Sequence, residues 1–210
     1  MQVRSGGDSN LYTIDQIAEH DFSGDIILTT ATKIEDSAFL RSAITSCEGD
    51  TVTEISAGAF RYCNELLRVS LPNCTKASSA NYAFANSSSL KEIHLPKLSN
   101  WSNTQYLAYQ STALEVCDLG VVSSMTNNCF NGCTALRKLI LRKTGSICTS
   151  NWATAAVFGG IYSNPSQSEI YVPSALISTY ESASKWSDLK NLGVTFKAIE
   201  GSIYELKERG

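Results

Sequence analysis

Charge is scarce in this 210-residue chain. Charged residues make up 18%, against roughly a quarter in an average domain, and Ser, Thr and Asn supply the missing polarity. The 17 basic and 20 acidic side chains leave a formal net charge of −3. No basic excess steers the chain to nucleic acid or to an anionic membrane surface. No apolar run approaches the ~20 residues that a bilayer-spanning helix needs, so membrane insertion is not expected. Residues 1–15, MQVRSGGDSNLYTID, carry no apolar signal core. The cysteine count, seven, is odd, and the chain is too long to need staples, so no disulfide framework is read from it. HExxH, GxSxG and paired-carboxylate spacings are missing too, as is the GxxxxGK loop that cradles phosphate. Of the two glycine pairs, Arg4-Ser-Gly6-Gly7 reads as a flexible leader, and Phe158-Gly159-Gly160 lacks the strand-to-helix context of a dinucleotide site. At 43% hydrophobic residues the chain has enough apolar side chains to build a core, which excludes global disorder.

What is present is a repeat. Leu66-Leu-Arg-Val69-Ser-Leu71, Leu90-Lys-Glu-Ile93-His-Leu95, Leu114-Glu-Val-Cys117-Asp-Leu119 and Leu136-Arg-Lys-Leu139-Ile-Leu141 all read apolar-x-x-apolar-x-apolar. Their last positions, 71, 95, 119 and 141, are 24, 24 and 22 residues apart. Six residues before each leading leucine stands a second anchor: Phe60, Phe84, Ala108 and Phe130. Three residues after each anchor comes a small side chain: Cys63, Ser87, Ser111 and Cys133. Weaker copies extend the pattern backwards through Ile26-Ile-Leu28, Ala38-Phe39 and Cys47-Glu-Gly49. Forwards, Ile170-Tyr-Val172 fills a seventh slot after a step of 31 that holds the loop residues Gly159, Gly160, Asn164 and Pro165.

A period near two dozen with this motif predicts an α/β-type solenoid, a right-handed leucine-rich coil of about seven turns stacked through a parallel strand ladder. Side chains alternate along a strand, so motif positions 4 and 6 point into the core and the residues between point outward. A single coil cannot bury its apolar face alone, so the coils must stack. Seven strands at about 4.8 Å would make a sheet about 30 Å long. Helical caps are expected at both ends. Thr13-Ile-Asp-Gln16 suggests a short helix near 14–20, with Phe22 packing on the first coil. Ser174 reads as an N-cap for a helix with Leu176, Tyr180, Ala183 and Trp186 on one stripe. Val194–Ile199 alternates like a final strand. The predicted divisions are a leader and capping segment over 1–24, the solenoid over 25–173, a helix-plus-strand cap over 174–200 and a mobile polar tail over 201–210.

These residues resemble the BspA-like leucine-rich repeats of bacterial surface proteins. The resemblance is carried by Thr53-Glu-Ile-Ser-Ala-Gly-Ala-Phe-Arg-Tyr-Cys63, by Met125-Thr-Asn-Asn-Cys-Phe-Asn-Gly-Cys-Thr-Ala-Leu136, and by the ending Ile170-Tyr-Val-Pro-Ser-Ala-Leu-Ile-Ser-Thr-Tyr180 with Lys185-Trp186. Tyr12-Thr-Ile-Asp-Gln-Ile ahead of the coils and Ala198-Ile-Glu-Gly-Ser behind them are also similar to short forms encoded in prophages of gut Firmicutes. The resemblance implies non-enzymatic binding or adhesion to a protein or glycan on a cell surface, or a structural or receptor-binding place in a phage tail. It implies a surface, extracellular or virion location and no cofactor.

The expected outward strand positions are Asp25, Ile27, Ser46, Glu48, Arg68, Ser70, Glu92, His94, Val116, Asp118, Lys138, Ile140, Glu169 and Tyr171. Charges of both signs mix there, with Arg68 beside Glu92. The candidate binding face is Arg68, Glu92, His94, Val116, Asp118, Lys138, Ile140 and Tyr171, with the apolar Val116, Ile140 and Tyr171 suggesting a contact patch in the C-terminal half. His94 and Asp118 should be cross-strand neighbours. They are either an acid–base pair, which would make the chain an enzyme, or part of a polar contact surface. His20 is expected near the front cap, solvated or capping. Cys129 and Cys133 have a CxxxC spacing that could suggest zinc, but they fall on separate ladders of small side chains, and buried free thiols are the expected reading.

Overall fold

A computed structural model of the chain describes residues 3–5, 11–12, 22–77, 80–101, 105–125, 128–150 and 153–206. The helix predicted near 14–20, and His20 with it, lies outside the described residues. Eight parallel strands form the main ladder: Ser23–Leu28, Ala43–Glu48, Arg68–Ser70, Glu92–His94, Val116–Asp118, Lys138–Ile140, Glu169–Val172 and Thr195–Ala198. The parallel-ladder solenoid read from the repeat is therefore the observed architecture. At the front edge Val3–Ser5 pairs antiparallel with both Leu11–Tyr12 and Ile26–Leu28. Arg4 thus lies in a strand, where a flexible leader was expected. The first main strand offers an edge that a backbone can pair with whatever the glycines nearby.

The register follows the repeat. Ile26, Cys47, Val69, Ile93, Cys117, Leu139, Ile170 and Phe196 are successive cross-strand partners, and all are buried. A second inward row runs through Leu28, Leu71, Leu95, Leu119, Leu141 and Val172, also buried. Gly49 stands in this row without a side chain for a steric reason. A Cβ there would come within 2.8 Å of Val52 Cγ2 and 3.1 Å of Leu28 Cβ.

The return limb carries the aromatic anchors. Phe22 meets Phe39 edge-on at 5.7 Å between ring centroids, and Phe39, Phe60 and Phe84 then stack at 5.3 Å intervals. Rings of one coil lie on rings of the next, so each phenylalanine depends on its neighbours for burial. The small side chains three residues on have a second task. Ser87 and Ser111 hydroxyls donate to the Phe60 and Phe84 carbonyls at 2.7 and 2.6 Å. The Cys63 and Cys133 thiols do the same to Phe39 and Ala108, both at 2.8 Å. A buried carbonyl facing the neighbouring coil needs a donor, and Ser and Cys are the small side chains that supply one.

On the far limb Lys33–Ile34 pairs parallel with Glu54–Ile55, and single bridges carry the row through Lys76 to Asn100. Trp101, next to Asn100, therefore follows Ile55 in the same row despite its extra distance from Ala108. Met125 sits in the corresponding pair Ser124–Met125 with Thr149–Ser150.

The 31-residue step is more structured than its glycines and proline suggested. It holds two short helices, Ala155–Phe158 and Gly160–Ser163, then a 3-10 turn at Pro165–Gln167. Phe158 is the anchor that the repeat pattern missed, and it is fully buried. Gly160 is required because a Cβ there would lie 2.4 Å from the Thr134 carbonyl and 2.7 Å from that of Leu136.

Beyond Pro173 the single predicted helix is two, Ile177–Ser182 and Trp186–Leu192, preceded by a 3-10 turn at Ser174–Leu176. Ser174 makes no side-chain cap, and its N–H instead donates to Glu200 Oε2 at 2.8 Å. The break falls at Ala183–Lys185, where Lys185 has φ +70°. It lets two aromatics reach the backbone of one residue: the Cys148 N–H donates to the Tyr180 hydroxyl at 2.7 Å, and the Trp186 indole N–H donates to the Cys148 carbonyl at 2.8 Å. Both rings pack on Phe196, and Trp186 also on Phe158. A continuous helix would have given up this pairing of partners.

Candidate functional site

Two outward rows follow from the strand register. One runs Ser46, Arg68, Glu92, Val116, Lys138, Glu169, Thr195, and the other Glu48, Ser70, His94, Asp118, Ile140, Tyr171, Lys197. Every candidate binding residue thus lies on one face, as the repeat implied. Their surroundings divide the face in two.

In the first half the face is open. Arg68 Nε approaches Glu92 Oε2 at 3.6 Å, and His94 Nε2 lies 3.0 Å from the same oxygen. Arg68 is exposed, and Glu92, His94 and Val116 are half-buried. Ion pairs this exposed contribute little to stability, which leaves the groups available to a ligand. Arg68, Ser70, Glu92, His94 and Val116 line a groove of about 430 Å³ that Pro72, Pro96 and the segment Ile203–Leu206 wall in.

In the second half the face is covered, and three expectations of exposure fail. Ile140 is 0% exposed, Asp118 3% and Tyr171 8%. Arg142 covers Asp118, and Ile199 together with residues 201–206, which were expected to be mobile, packs over Ile140 and Tyr171. The Tyr204 ring meets Tyr171 at 4.7 Å, 69° from parallel. Ile140, Tyr171 and Ile199 form a small core of their own, with Val116 and Tyr204 at its edge. Arg142 grips Asp118 through Nε at 2.9 Å and Nη2 at 2.6 Å, and Nη2 also donates to the Tyr204 carbonyl at 2.7 Å.

That arrangement answers the acid–base expectation. His94 and Asp118 are cross-strand partners, but the Asp118 carboxylate is committed to Arg142 and His94 turns to Glu92. The two side chains are therefore each engaged with another partner. Lys138 stays half-buried, with its ammonium near Glu169. Lys197 hydrogen-bonds Glu169 and holds that carboxyl below its usual range. The Tyr171 hydroxyl donates to Glu169 Oε2 at 2.8 Å, and burial, aided by that bond, pushes Tyr171 up to about 12.

All seven cysteines are buried and outside any disulfide. Burial pushes Cys63 up to about 11 and Cys74 and Cys148 up to about 12, and Cys47, Cys117 and Cys133 higher still. Metal ligation and nucleophilic attack both need the thiolate, so these thiols are suited to packing and weak donation. Among the described residues no group of three or more His, Cys, Asp or Glu side chains is placed to hold a metal ion, and no helix is long and apolar enough to cross a membrane.

Sequence reasoning missed Arg142 and Tyr204. A signal for Arg142 existed. The residue after each last motif position is Pro72, Pro96, Gly120, Arg142 and Pro173, so a charged side chain departs from the row. Tyr204 carries no such mark.

Stacked coils and a parallel ladder with an outward sheet face define a leucine-rich repeat scaffold. Residues 12–113 and 53–154 match the family described as the BspA type leucine rich repeat region, in 6 copies. The chain belongs to that family. No curated protein matches it. Leucine-rich repeats generally mediate protein binding, and BspA-type proteins are typically surface or extracellular and generally non-enzymatic.

Proposed function

We propose that the chain is a non-enzymatic recognition module whose ligand, a protein or glycan displayed on a cell surface, docks on the open half of the sheet face. The observation that carries this reading is the groove itself. Arg68, Glu92 and His94 stand on adjacent strands with weak mutual pairing, beside half-buried Val116, and the C-terminal segment walls one side. A rigid ladder presents such groups without an ordering cost on binding. Display on a cell surface is preferred over a place in a phage tail, because BspA-type proteins are typically surface or extracellular. A prophage source would favour the tail.

The test is binding to arrays of surface glycans and surface proteins, with wild type compared to Arg68→Glu/His94→Ala. We expect a specific hit that the double variant loses at least tenfold and that Lys33→Ala, on the opposite limb with Glu35 and Glu54, leaves unchanged. Equal loss in both variants, or no hit on either array, overturns the reading.

A further inference from the structure

The covered half of the face differs in chemistry from the open half. Outward positions in the earlier strands hold Ser46, Arg68, Ser70, Glu92 and His94. Under the C-terminal segment they hold Ile140 and Tyr171. Apart from Ile27, 51% exposed on the first main strand, and half-buried Val116, the rest of the face is polar; an apolar patch there marks a contact site, and a short piece of the same chain occupies it.

The occupant is lightly attached. Three hydrogen bonds stay within it: Glu205 N–H to the Ser202 carbonyl at 3.2 Å, Tyr204 N–H to Ser202 Oγ at 3.1 Å, and Gly201 N–H to Glu205 Oε2 at 3.1 Å. Its hold on the rest of the chain consists of the Tyr204 ring on Tyr171, the Arg142 bond to one carbonyl, and the Ser202 N–H and hydroxyl donating to the Ile199 carbonyl at 3.0 and 2.6 Å. Ile203 and Leu206 are 87% and 53% exposed. A segment with so few buried contacts opens locally at far lower cost than the sheet beneath it.

The seat, by contrast, is rigid. Asp118 holds Arg142 along one guanidinium edge, through Nε and Nη2, and the same Nη2 donates to a main-chain carbonyl. A carbonyl is common to every peptide, and the aromatic ring beside it supplies selectivity. The groove continues from this seat toward Arg68, giving a path for more of an incoming chain.

We propose, building on the binding reading above, that the seat held by Gly201–Leu206 is a peptide-binding site. A partner protein docks there by placing an aromatic side chain on Tyr171 and a main-chain carbonyl on Arg142, displacing the chain's own segment. The internal segment acts as a competitor that lowers apparent affinity until it is displaced.

The probe is a fluorescent synthetic peptide of residues 199–206, titrated into full-length wild type and into full-length Tyr204→Ala, whose own segment has lost its ring. The peptide is expected to bind Tyr204→Ala at least tenfold more tightly than wild type. Replacing the tyrosine of the peptide by alanine should abolish that binding, and by phenylalanine should keep it. Hydrogen exchange on wild type should show the Tyr204 and Glu205 amides exchanging at least a hundredfold faster than those of Leu139 and Ile170. Equal or absent binding to the two proteins, indifference to the peptide's aromatic residue, or segment amides as protected as the strands each overturn the proposal. Concentration-dependent self-association of wild type that Tyr204→Ala abolishes would assign the seat to a second copy and overturn it too. Failure here, with the Arg68→Glu/His94→Ala effect intact, removes only this seat and leaves the groove reading standing.

Discussion

Ser87 shows how much one small side chain can do. Its hydroxyl donates to the Phe60 carbonyl, while its oxygen accepts from the Cys63 N–H at 3.2 Å. Ser87→Ala removes both partners at a fully buried position. We expect a loss of about 1–3 kcal/mol, the usual cost of stranding a buried polar group, read from urea unfolding. Cys63→Ser keeps a donor of similar size and is expected to change stability by less than about 1.5 kcal/mol. At the surface, the Lys197 ammonium stabilises ionised Glu169. A carboxyl whose folded pKa is depressed contributes stability above its unfolded value near ~4.3 and loses it as pH falls through the lower folded value. Lys197→Met should therefore lower the melting temperature at pH 7 and leave it almost unchanged well below pH 4. Because the pair still reaches solvent, with Lys197 45% and Glu169 25% exposed, the effect will be small.

The element that depends most on its neighbours is the phenylalanine stack. Phe60 has a ring on each side, Phe39 and Phe84, both at 5.3 Å. Phe60→Ala should cost about 3–5 kcal/mol and should lower the protection of the adjacent coils in hydrogen exchange, since each coil is buried by the next. The C-terminal segment lies at the other extreme. Tyr204→Ala should leave unfolding by urea within about 1 kcal/mol of wild type, as for most surface substitutions, while raising the fluorescence of an apolar dye that reaches Ile140 and Tyr171. The strands and their register could be read from the leucine period, and so could the side of the sheet on which each residue stands, because both follow from alternation along a strand. The Phe158 helix pair, the split after Pro173 and the fold-back of 201–206 could not. Each is set by contacts with residues far along the chain: Gly160 against Thr134 and Leu136, Trp186 on Cys148, and Tyr204 on Tyr171 and Arg142.

For the whole molecule, seven thiols outside any disulfide in a single buried interior make a direct test of the stacked core. In native protein a thiol reagent such as Ellman's is expected to react with none of them at an appreciable rate, and in denaturant with all seven. Fast labelling of any one in the native state would mean that its coil opens. The same ladder sets Arg68, Glu92 and His94 on one face with Asp118, Ile140 and Tyr171, but the latter three do not share its exposure.

The sequence by itself determined the ladder. A repeat of about two dozen residues has one economical way to bury its leucines and phenylalanines, and that stacking sets which side chains look in and which look out. Only the tertiary structure decided what the outward face offers. Whether a strand position meets solvent depends on what else comes to rest there, and a short C-terminal segment settled on Tyr171 and Arg142 through contacts that no periodicity encodes.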